Sequence, residues 1–510
     1  MKNLRVVILK PSKYGLSGSV ERFRWGFIPN ATVQYMLSMT PEQIGDCLLE
    51  KYAIDEYVQT DLEYLKLLQG DKLTLLALVG TQSHQFQRAL DIAAYAYKNG
   101  VHCVIGGPHP MTCDTKVLQN RGISFALAEA EMVWPTILRD AIRGELQPIY
   151  GQEQRWQQTL EPPVLIPPSP RDLKRSVTRL LGVYPARGCP FTCNFCSVIK
   201  IAGRKIRSQP IETTLETLRR AIAAGVKSIF FTSDNFNKYP EATELLKAMV
   251  EENLRIPFMV QCDTQLQKQE ELIDLLARAG CFQIFLGVES FDRETLLSVH
   301  KTQNHPELYE RIIAVCRKHK LRTHFSNIIG FPTQTERGIL EHLETLRKLQ
   351  PGAASFYVLT PIPGTEQYDD FRAKNLITEP NLDRFDCTVS TWRHPHLSPD
   401  TLKRLLYRCY STFYSGRHIL HHLFEKQNQT SRVMDALSRL SPLFYQYSAW
   451  QKIHPMSGGI YRVHVDNASD YRELRKKRFG CDLVPLPESL KLSAADHALN
   501  ASAKLELVHA

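Results

Sequence analysis

From residue 182 to residue 359 the chain repeats a single alternation. Apolar, β-branched or aromatic runs at 182–186, 228–232, 258–261, 282–287, 324–329 and 355–359 alternate with amphipathic stretches at 213–224, 241–251, 268–279, 307–319 and 336–349. A helix between two strands returns the chain to its starting edge, so consecutive strands lie parallel. Six such strands over about 180 residues predict a (β/α)6 partial barrel. Chemistry on a barrel of this kind belongs at the C-terminal ends of the strands.

Upstream, apolar runs at 5–9, 73–79 and 101–105 alternate with helix-like stretches near 85–98 and 132–143. That order predicts an open, doubly wound, Rossmann-like layer. Between the two regions, residues 161–170 contain five Pro, which read as an extended linker. The expected division of this α/β chain is 1–150 for the Rossmann-like domain, 151–175 for the linker and 176–365 for the barrel. Residues 366–510 are expected to be mostly helical, from the patterns at 402–414 and 431–440.

Composition narrows the class. The 510 residues are 43% hydrophobic and 23% charged, which excludes a disordered or coiled-coil reading of the whole. The apolar run 6–9 is too short for a signal-peptide core, and no run approaches ~18 apolar residues. A cytoplasmic protein with reduced thiols and no transmembrane segment is expected. The net charge of +10 is spread thinly. Its densest run, Arg472, Arg475, Lys476, Lys477 and Arg478, fits a nucleic-acid contact or a solvated helix face. The solvated face is preferred, so no nucleic-acid partner is expected.

Cys189, Cys193 and Cys196 form CxxxCxxC directly after the first barrel run. Random placement of the Cys would give this spacing about 0.007 times. A structural zinc site wants four ligands, and no neighbouring Cys or His supplies a fourth. Three thiolates instead leave one corner of a 4Fe–4S cubane open.

At these residues the chain resembles the radical S-adenosylmethionine (SAM) superfamily, whose motif is CxxxCxxC in this loop. An aromatic residue commonly precedes its last Cys, and here Phe195 does. The resemblance covers about residues 182–359. It implies that Cys189, Cys193 and Cys196 hold a catalytic 4Fe–4S cluster whose open iron is chelated by SAM. One-electron cleavage of the sulfonium then yields a 5′-deoxyadenosyl radical, which takes hydrogen from the substrate.

Further strand ends resemble the family's SAM contacts. Ser233-Asp234-Asn235 stands where polar groups meet the SAM amino end. Gly287-Val-Glu289-Ser290 resembles Gly-x-Glu-Ser; Glu289 would accept from ribose hydroxyls or else form a cap or salt bridge. The turn with Gly330 and Pro332 resembles the adenine side, and Thr335 suits a helix cap. Arg204, Lys205 and Arg207 would hold an anionic group or remain solvated.

Residues 5–150 resemble the cobalamin-binding branch of the same superfamily. The matching pieces are Val79-Gly-Thr81-Gln-Ser83-His84, Val104-Ile-Gly106-Gly107-Pro108-His109 and Ala128-Glu129-Ala-Glu131, with Ala128 where the family usually has Gly. The resemblance implies that Thr81, Ser83, Gly106, Gly107, Glu129 and Glu131 flank cobalamin. The DxHxxG motif that supplies a histidine to cobalt is absent from the sequence. A domain that lost cobalamin and serves as scaffold is the alternative.

The branch implies a methyltransferase acting on an unactivated carbon of a small-molecule or lipid substrate. An electron donor such as flavodoxin or ferredoxin is implied with it. The alternatives are an oxidative cyclase or rearrangement enzyme without methyl transfer, a tRNA-modifying methylthiotransferase, and a non-catalytic iron–sulfur or cobalamin sensor. The other nine Cys are isolated and read as buried hydrophobes, with Cys262 the one expected to face the active site. His394, His396, His418, His421 and His422 lack matched metal-ligand spacing. Tyr184 and the aromatic stretch 392–414 would line a substrate cavity or form core.

Overall fold

A computed structural model of the chain describes residues 2–27, 29–119, 121–416, 418–420, 432–456, 459–465 and 472–479. Its first part contains β1 (Lys2–Lys10), β2 (Phe23–Gly26), β3 (Gln43–Ile44), β4 (Cys47–Asp55), β5 (Thr74–Leu78), β6 (His102–Gly106), β7 (Ile123–Ala126) and β8 (Ile149–Tyr150). All but β2 form one sheet in the order β3-β4-β1-β5-β6-β7-β8, parallel except at β3. Val6, Val7, Ile8 and Leu9 on β1 are fully buried. A strand covered on both faces reads as a continuous apolar run, and this is why β1 was legible in the sequence. The helix Phe86–Lys98 covers one face, and the helices Ala31–Met39 and Ala130–Arg143 cover the other.

Six of these elements had not been expected, namely β2, β3, β4, β7, β8 and the helix Ala31–Met39. β4 carries Glu50 and Lys51 among its apolar residues and is only partly buried, so its pattern is weak. β7 is four residues long. The helix Ala31–Met39 begins at Asn30, whose side chain accepts from the Thr32 and Val33 amides at 2.9 and 3.3 Å.

The Pro-rich linker is extended, and it is packed down rather than free. Leu165 is buried, and its amide donates to Thr217 Oγ1 at 3.1 Å. Beyond it come β9 (Leu180–Val183), β10 (Ala186–Arg187), β11 (Arg207–Ser208), β12 (Ser228–Phe231), β13 (Phe258–Cys262), β14 (Cys281–Glu289), β15 (Arg322–Ile329) and β16 (Ala353–Val358). The order β9-β12-β13-β14-β15-β16, parallel throughout, is the expected six-stranded open barrel. The first strand begins two residues earlier than the apolar run suggested. The chain leaves the sheet after Val183, and β10 pairs antiparallel with β11 at the base of the intervening loop. The fifth helix spans Glu336–Leu349 as expected, and Thr335 caps it by accepting from the Gly338 amide at 3.2 Å.

The C-terminal region contains the helices Glu366–Ala373, Pro399–Phe413 and Arg432–Trp450. It also contains β17 (Gly459–Arg462), which pairs antiparallel with β2 and ties the end of the chain to its beginning. The helix Pro399–Phe413 closes the free edge of β16. Tyr414 Oη accepts from the Ala354 amide at 2.9 Å and donates to its carbonyl at 2.7 Å, and Tyr410 Oη does the same at Phe356. Two phenols thus satisfy strand-edge groups that would otherwise invite another strand. The aromatic stretch is therefore core: Trp392, Tyr410 and Tyr414 are fully buried.

The basic helix Arg472–Phe479 is not wholly solvated. Buried Arg475 pairs with Asp91 at 3.3 Å, and Arg478 lies 3.5 Å over the Tyr97 ring. Among the described residues, no helix is long and apolar enough to cross a membrane.

The loops after β5 and β6 are zipped together. The Thr81 amide donates to the Gly106 carbonyl, and the His109 amide donates to the Thr81 carbonyl, both at 2.9 Å. Gly107 has φ +130°, and a Cβ there would stand 2.2 Å from the Thr81 nitrogen. Gly107→Ala should therefore cost more than about 2 kcal/mol. Urea unfolding measures this, and an unchanged midpoint would contradict the close approach.

Candidate active site

The C-terminal ends of the two sheets face each other across a cavity of about 790 Å³. One wall comes from the Rossmann-like layer: Lys10 at the end of β1, Gly80 after β5, Gly106 at the end of β6 with Gly107 following it, and Glu129 after β7. The opposite wall comes from the first two barrel strands and includes Tyr184, Arg187, Phe230 and Asp234. Parallel sheets gather their strand ends on one side, where ligands of α/β folds bind. The cavity has the size of a cofactor site.

The cluster loop runs from Gly188 to the helix Val198–Ile201. The half-buried Asp234 accepts from the Gly188 amide at 2.7 Å and joins this loop to the end of β12. Arg204 braces the loop by donating to the Pro190 carbonyl at 3.1 and 2.7 Å. Arg187 before this loop and Ile201 and Ala202 after it line the cavity, whereas Cys189, Cys193 and Cys196 do not. Burial pushes the Cys189 and Cys196 thiols up to about 12, and charge repulsion from Cys193 adds to this. The Lys301 charge acts in the opposite sense on all three. A cationic centre is what such a set lacks in order to ionise.

Among the described residues, no three His, Cys, Asp or Glu side chains converge on a single metal ion. Three cysteines supply one ligand fewer than a structural zinc site takes, and the number that leaves one iron of a 4Fe–4S cluster open. Gln303 Nε2 reaches Cys193 Sγ at 3.7 Å. Phe195 packs edge-on to Phe331 with 6.5 Å between ring centres, and Lys301 Nζ lies 5.9 Å from the centre of the Phe195 ring.

The other barrel residues fall at the strand ends. Glu289 ends β14 with φ +64° and pairs with Lys301 at 2.8 Å. Ser326 Oγ donates to its second oxygen at 3.3 Å. The salt bridge is thus present, and a carboxylate keeps further acceptor sites beside it. Ser290 is buried, and its hydroxyl accepts from the Asp292 amide at 3.1 Å. Gly330 has φ +85°, and its amide donates to Gln334 Oε1 at 2.8 Å. A Cβ at Gly330 would meet Leu402 at 2.9 Å, so this turn faces the C-terminal helix; Pro332 follows it, half-buried. Lys301 and Gln303 were missed in the sequence because no spacing links them to the cysteines.

In the Rossmann-like layer, Thr81 and Ser83 turn inward. Thr81 is fully buried, and Ser83 Oγ lies 3.0 Å from His109 Nδ1. The cavity is lined instead by Gly80, Gln82 and His84, the alternate residues of the same loop. Glu129 and Glu131 do reach the cavity, and they also bind arginines of the barrel. Arg207 holds Glu129 in a fork at 2.7 and 2.8 Å, while Arg187 contacts Glu129 at 3.2 Å and Glu131 at 2.7 Å. Arg187 also lies 5.1 Å from the centre of the Tyr35 ring.

The expectations for the arginines and Cys262 are corrected. Arg204 and Arg207 are structural braces, and Lys205 is exposed. Cys262 belongs to the barrel core. His394 Nε2 donates to the Phe331 carbonyl at 2.8 Å, while its Nδ1 accepts from the His396 and Leu397 amides. His418 packs on the Phe413 ring. His421, His422 and Cys481 lie outside the described residues.

Residues 183–346 match the model of the radical SAM superfamily. That stretch is a radical SAM domain. Over 79% of its length the chain is 24% identical to the bacteriochlorophyllide d C-8(2)-methyltransferase of Chlorobaculum tepidum, covering 90% of that protein. It is 25% identical to the hopanoid C-2 methylase of Rhodopseudomonas palustris over 61% of each chain. Two solved structures share the fold. One is the radical SAM methyltransferase TsrM from Kitasatospora setae with tryptophan substrate and a SAM analog bound. Its TM-score is 0.60 at 15% identity, covering 88% of this chain and 98% of that one. The other is the cobalamin-dependent radical SAM enzyme OxsB with aqua-cobalamin and SAM bound. Its TM-score is 0.60 at 14% identity, covering 100% of this chain and 81% of that one.

Two predictions test the cavity walls. Removing one partner of a buried ion pair leaves the other charge uncompensated. Glu129→Gln should therefore cost about 3 kcal/mol of stability, and a thermal melt matching wild type would show the clamp to be dispensable. Burial lowers Lys10 to about 8 against the upward pull of Asp55. The folded chain then binds fewer protons than the unfolded chain between about 8 and its ordinary 10.5, so this group's contribution to stability rises with pH there. Any stability gained by Lys10→Met should be largest at or below pH 8 and shrink toward pH 10. Parallel melting curves across that range would refute the burial effect.

Proposed function

We propose that this protein is a cobalamin-dependent radical SAM enzyme that methylates an unactivated carbon of a small-molecule or lipid substrate. The observation that carries the reading is the cavity itself. It is large enough for a cofactor, it lies between the strand ends of both sheets, and Arg187, Ile201 and Ala202, which flank the loop of the three cysteines, line its barrel-side wall. The two curated relatives are named as a methyltransferase and a methylase. Cys189, Cys193 and Cys196 would hold the 4Fe–4S cluster. Asp234, Glu289, Ser290 and the Gly330–Pro332 turn would contact SAM. Gly80, Gly106 and Gly107 would let the backbone approach cobalamin closely.

When bound, the cluster supplies one-electron cleavage of SAM, and cobalamin supplies a methyl carrier. The chain's own residues orient and seal. Tyr35, Tyr184 and Phe230 keep water from the cavity, and the arginine–carboxylate clamp holds the two walls in register. Lys301 places a positive charge beside the thiols and favours their ionised form. A flavodoxin or ferredoxin is the fitting electron donor, and the cytoplasm the fitting compartment.

Anaerobically reconstituted protein with SAM, a reductant and cobalamin should release 5′-deoxyadenosine. The Cys189→Ala/Cys193→Ala/Cys196→Ala variant should release none, and equal release from both would overturn the reading. Label from the SAM methyl group appearing in the product of a converted substrate separates methylation from oxidative cyclisation, which leaves the product unlabelled.

A further inference from the structure

We infer that a second cavity, of about 370 Å³, is a binding site for an organic anion, a carboxylate or phosphate borne on an apolar body. It lies apart from the cluster loop, where the segment between β1 and β2 meets the helix Pro399–Phe413 and the segment around β17. Five cationic side chains line it: Lys13, Arg384, Lys403, Lys452 and Arg462. Only two carboxylates do so, Glu21 and Asp386.

Those two carboxylates are already engaged. Lys13 bonds to Asp386 and lies 3.6 Å from Glu21, and Arg462 lies 3.3 Å from Glu21. Among the described residues, Arg384, Lys403 and Lys452 have no carboxylate within ion-pair distance. These three cations come from three separate stretches of chain, so no helix periodicity accounts for their meeting. Like charges gathered in a concavity repel, and the field between them favours an anion. A forked guanidinium beside two ammonium groups suits a carboxylate or a phosphate.

The rest of the lining mixes hydroxyl, amide and imidazole side chains with apolar ones. Leu16, Val20, Val389 and Ile453 contribute to the walls, and Leu16 is 61% exposed at the rim. A purely inorganic ion would leave that surface unused, whereas an anionic group on an apolar body covers it. Lys13 lines this cavity and the large one alike, so the two sites are separated by the Lys13–Asp386 pair. Anion binding is independent of the proposed chemistry.

The test is calorimetric titration of the reconstituted full-length protein with phenyl phosphate, phenylacetate and the neutral benzyl alcohol. At least one anion should bind about tenfold or more tightly than the alcohol, and its affinity should fall as salt is raised. The tighter of the two anions identifies the headgroup. Arg384→Gln/Lys403→Gln should weaken that anion about tenfold while leaving substrate-free 5′-deoxyadenosine release unchanged. Should that variant fail to fold, the exposed Lys452→Gln provides the same test with a loss of about twofold or more. Equal affinity for the anions and the alcohol, or wild-type affinity in the folded variants, overturns the proposal. Anion binding without any SAM cleavage would leave this site standing and defeat the proposed function instead.

Discussion

Glu129 and Glu131 from the Rossmann-like layer meet Arg187 and Arg207 from the barrel in the seam between the two sheets. All four side chains are largely withdrawn from water, with exposures from 5% to 16%. Charges so placed are costly unless each finds a partner, and here each does only when the two sheets are docked. Docking and cavity are therefore coupled. The same contacts that neutralise the charges set the strand ends face to face, with β10 carrying Arg187 directly into the loop of Cys189. Arg207 extends the connection by donating to the Ala202 carbonyl at 2.7 Å, at the far end of that loop.

The clamp needs support on both sides. On one side, close packing of the loops after β5 and β6 brings backbone instead of side chains to the cavity wall. On the other, Asp234 ties the end of β12 to Gly188. The open edge of the barrel is managed separately, by Tyr410 and Tyr414 on the strand β16. An unclosed six-stranded sheet leaves that edge exposed, and the C-terminal region supplies the cover.

Much of the barrel was legible because its signals are local. Each strand is a short apolar run, each helix repeats with its own period, and Thr335 stands where a cap is required. The Rossmann-like layer was harder. β1, β5 and β6 are buried on both faces and read clearly, whereas β4 mixes Glu50 and Lys51 into its run because it is only partly buried. The acidic pair at 129 and 131 was visible as a motif, but its bond to Arg187 and Arg207 was not. Nothing local separates an arginine that braces a loop from one that waits for a ligand.

The sequence by itself determined the parallel α/β architecture and singled out three cysteines by their spacing. Strand and helix periodicities are properties of neighbouring residues, and CxxxCxxC places its thiols within one loop. Tertiary structure alone decided which charges are spent on the fold. It paired Arg475 with Asp91 and Arg207 with Glu129, turned Thr81 and Ser83 inward, and drew Lys301 beside the cysteines. It also left Arg384, Lys403 and Lys452 without ion-pair partners among the described residues. The physical reason is that Coulomb and desolvation energies depend on distances between residues far apart in the chain, and those distances exist only once the two sheets have docked.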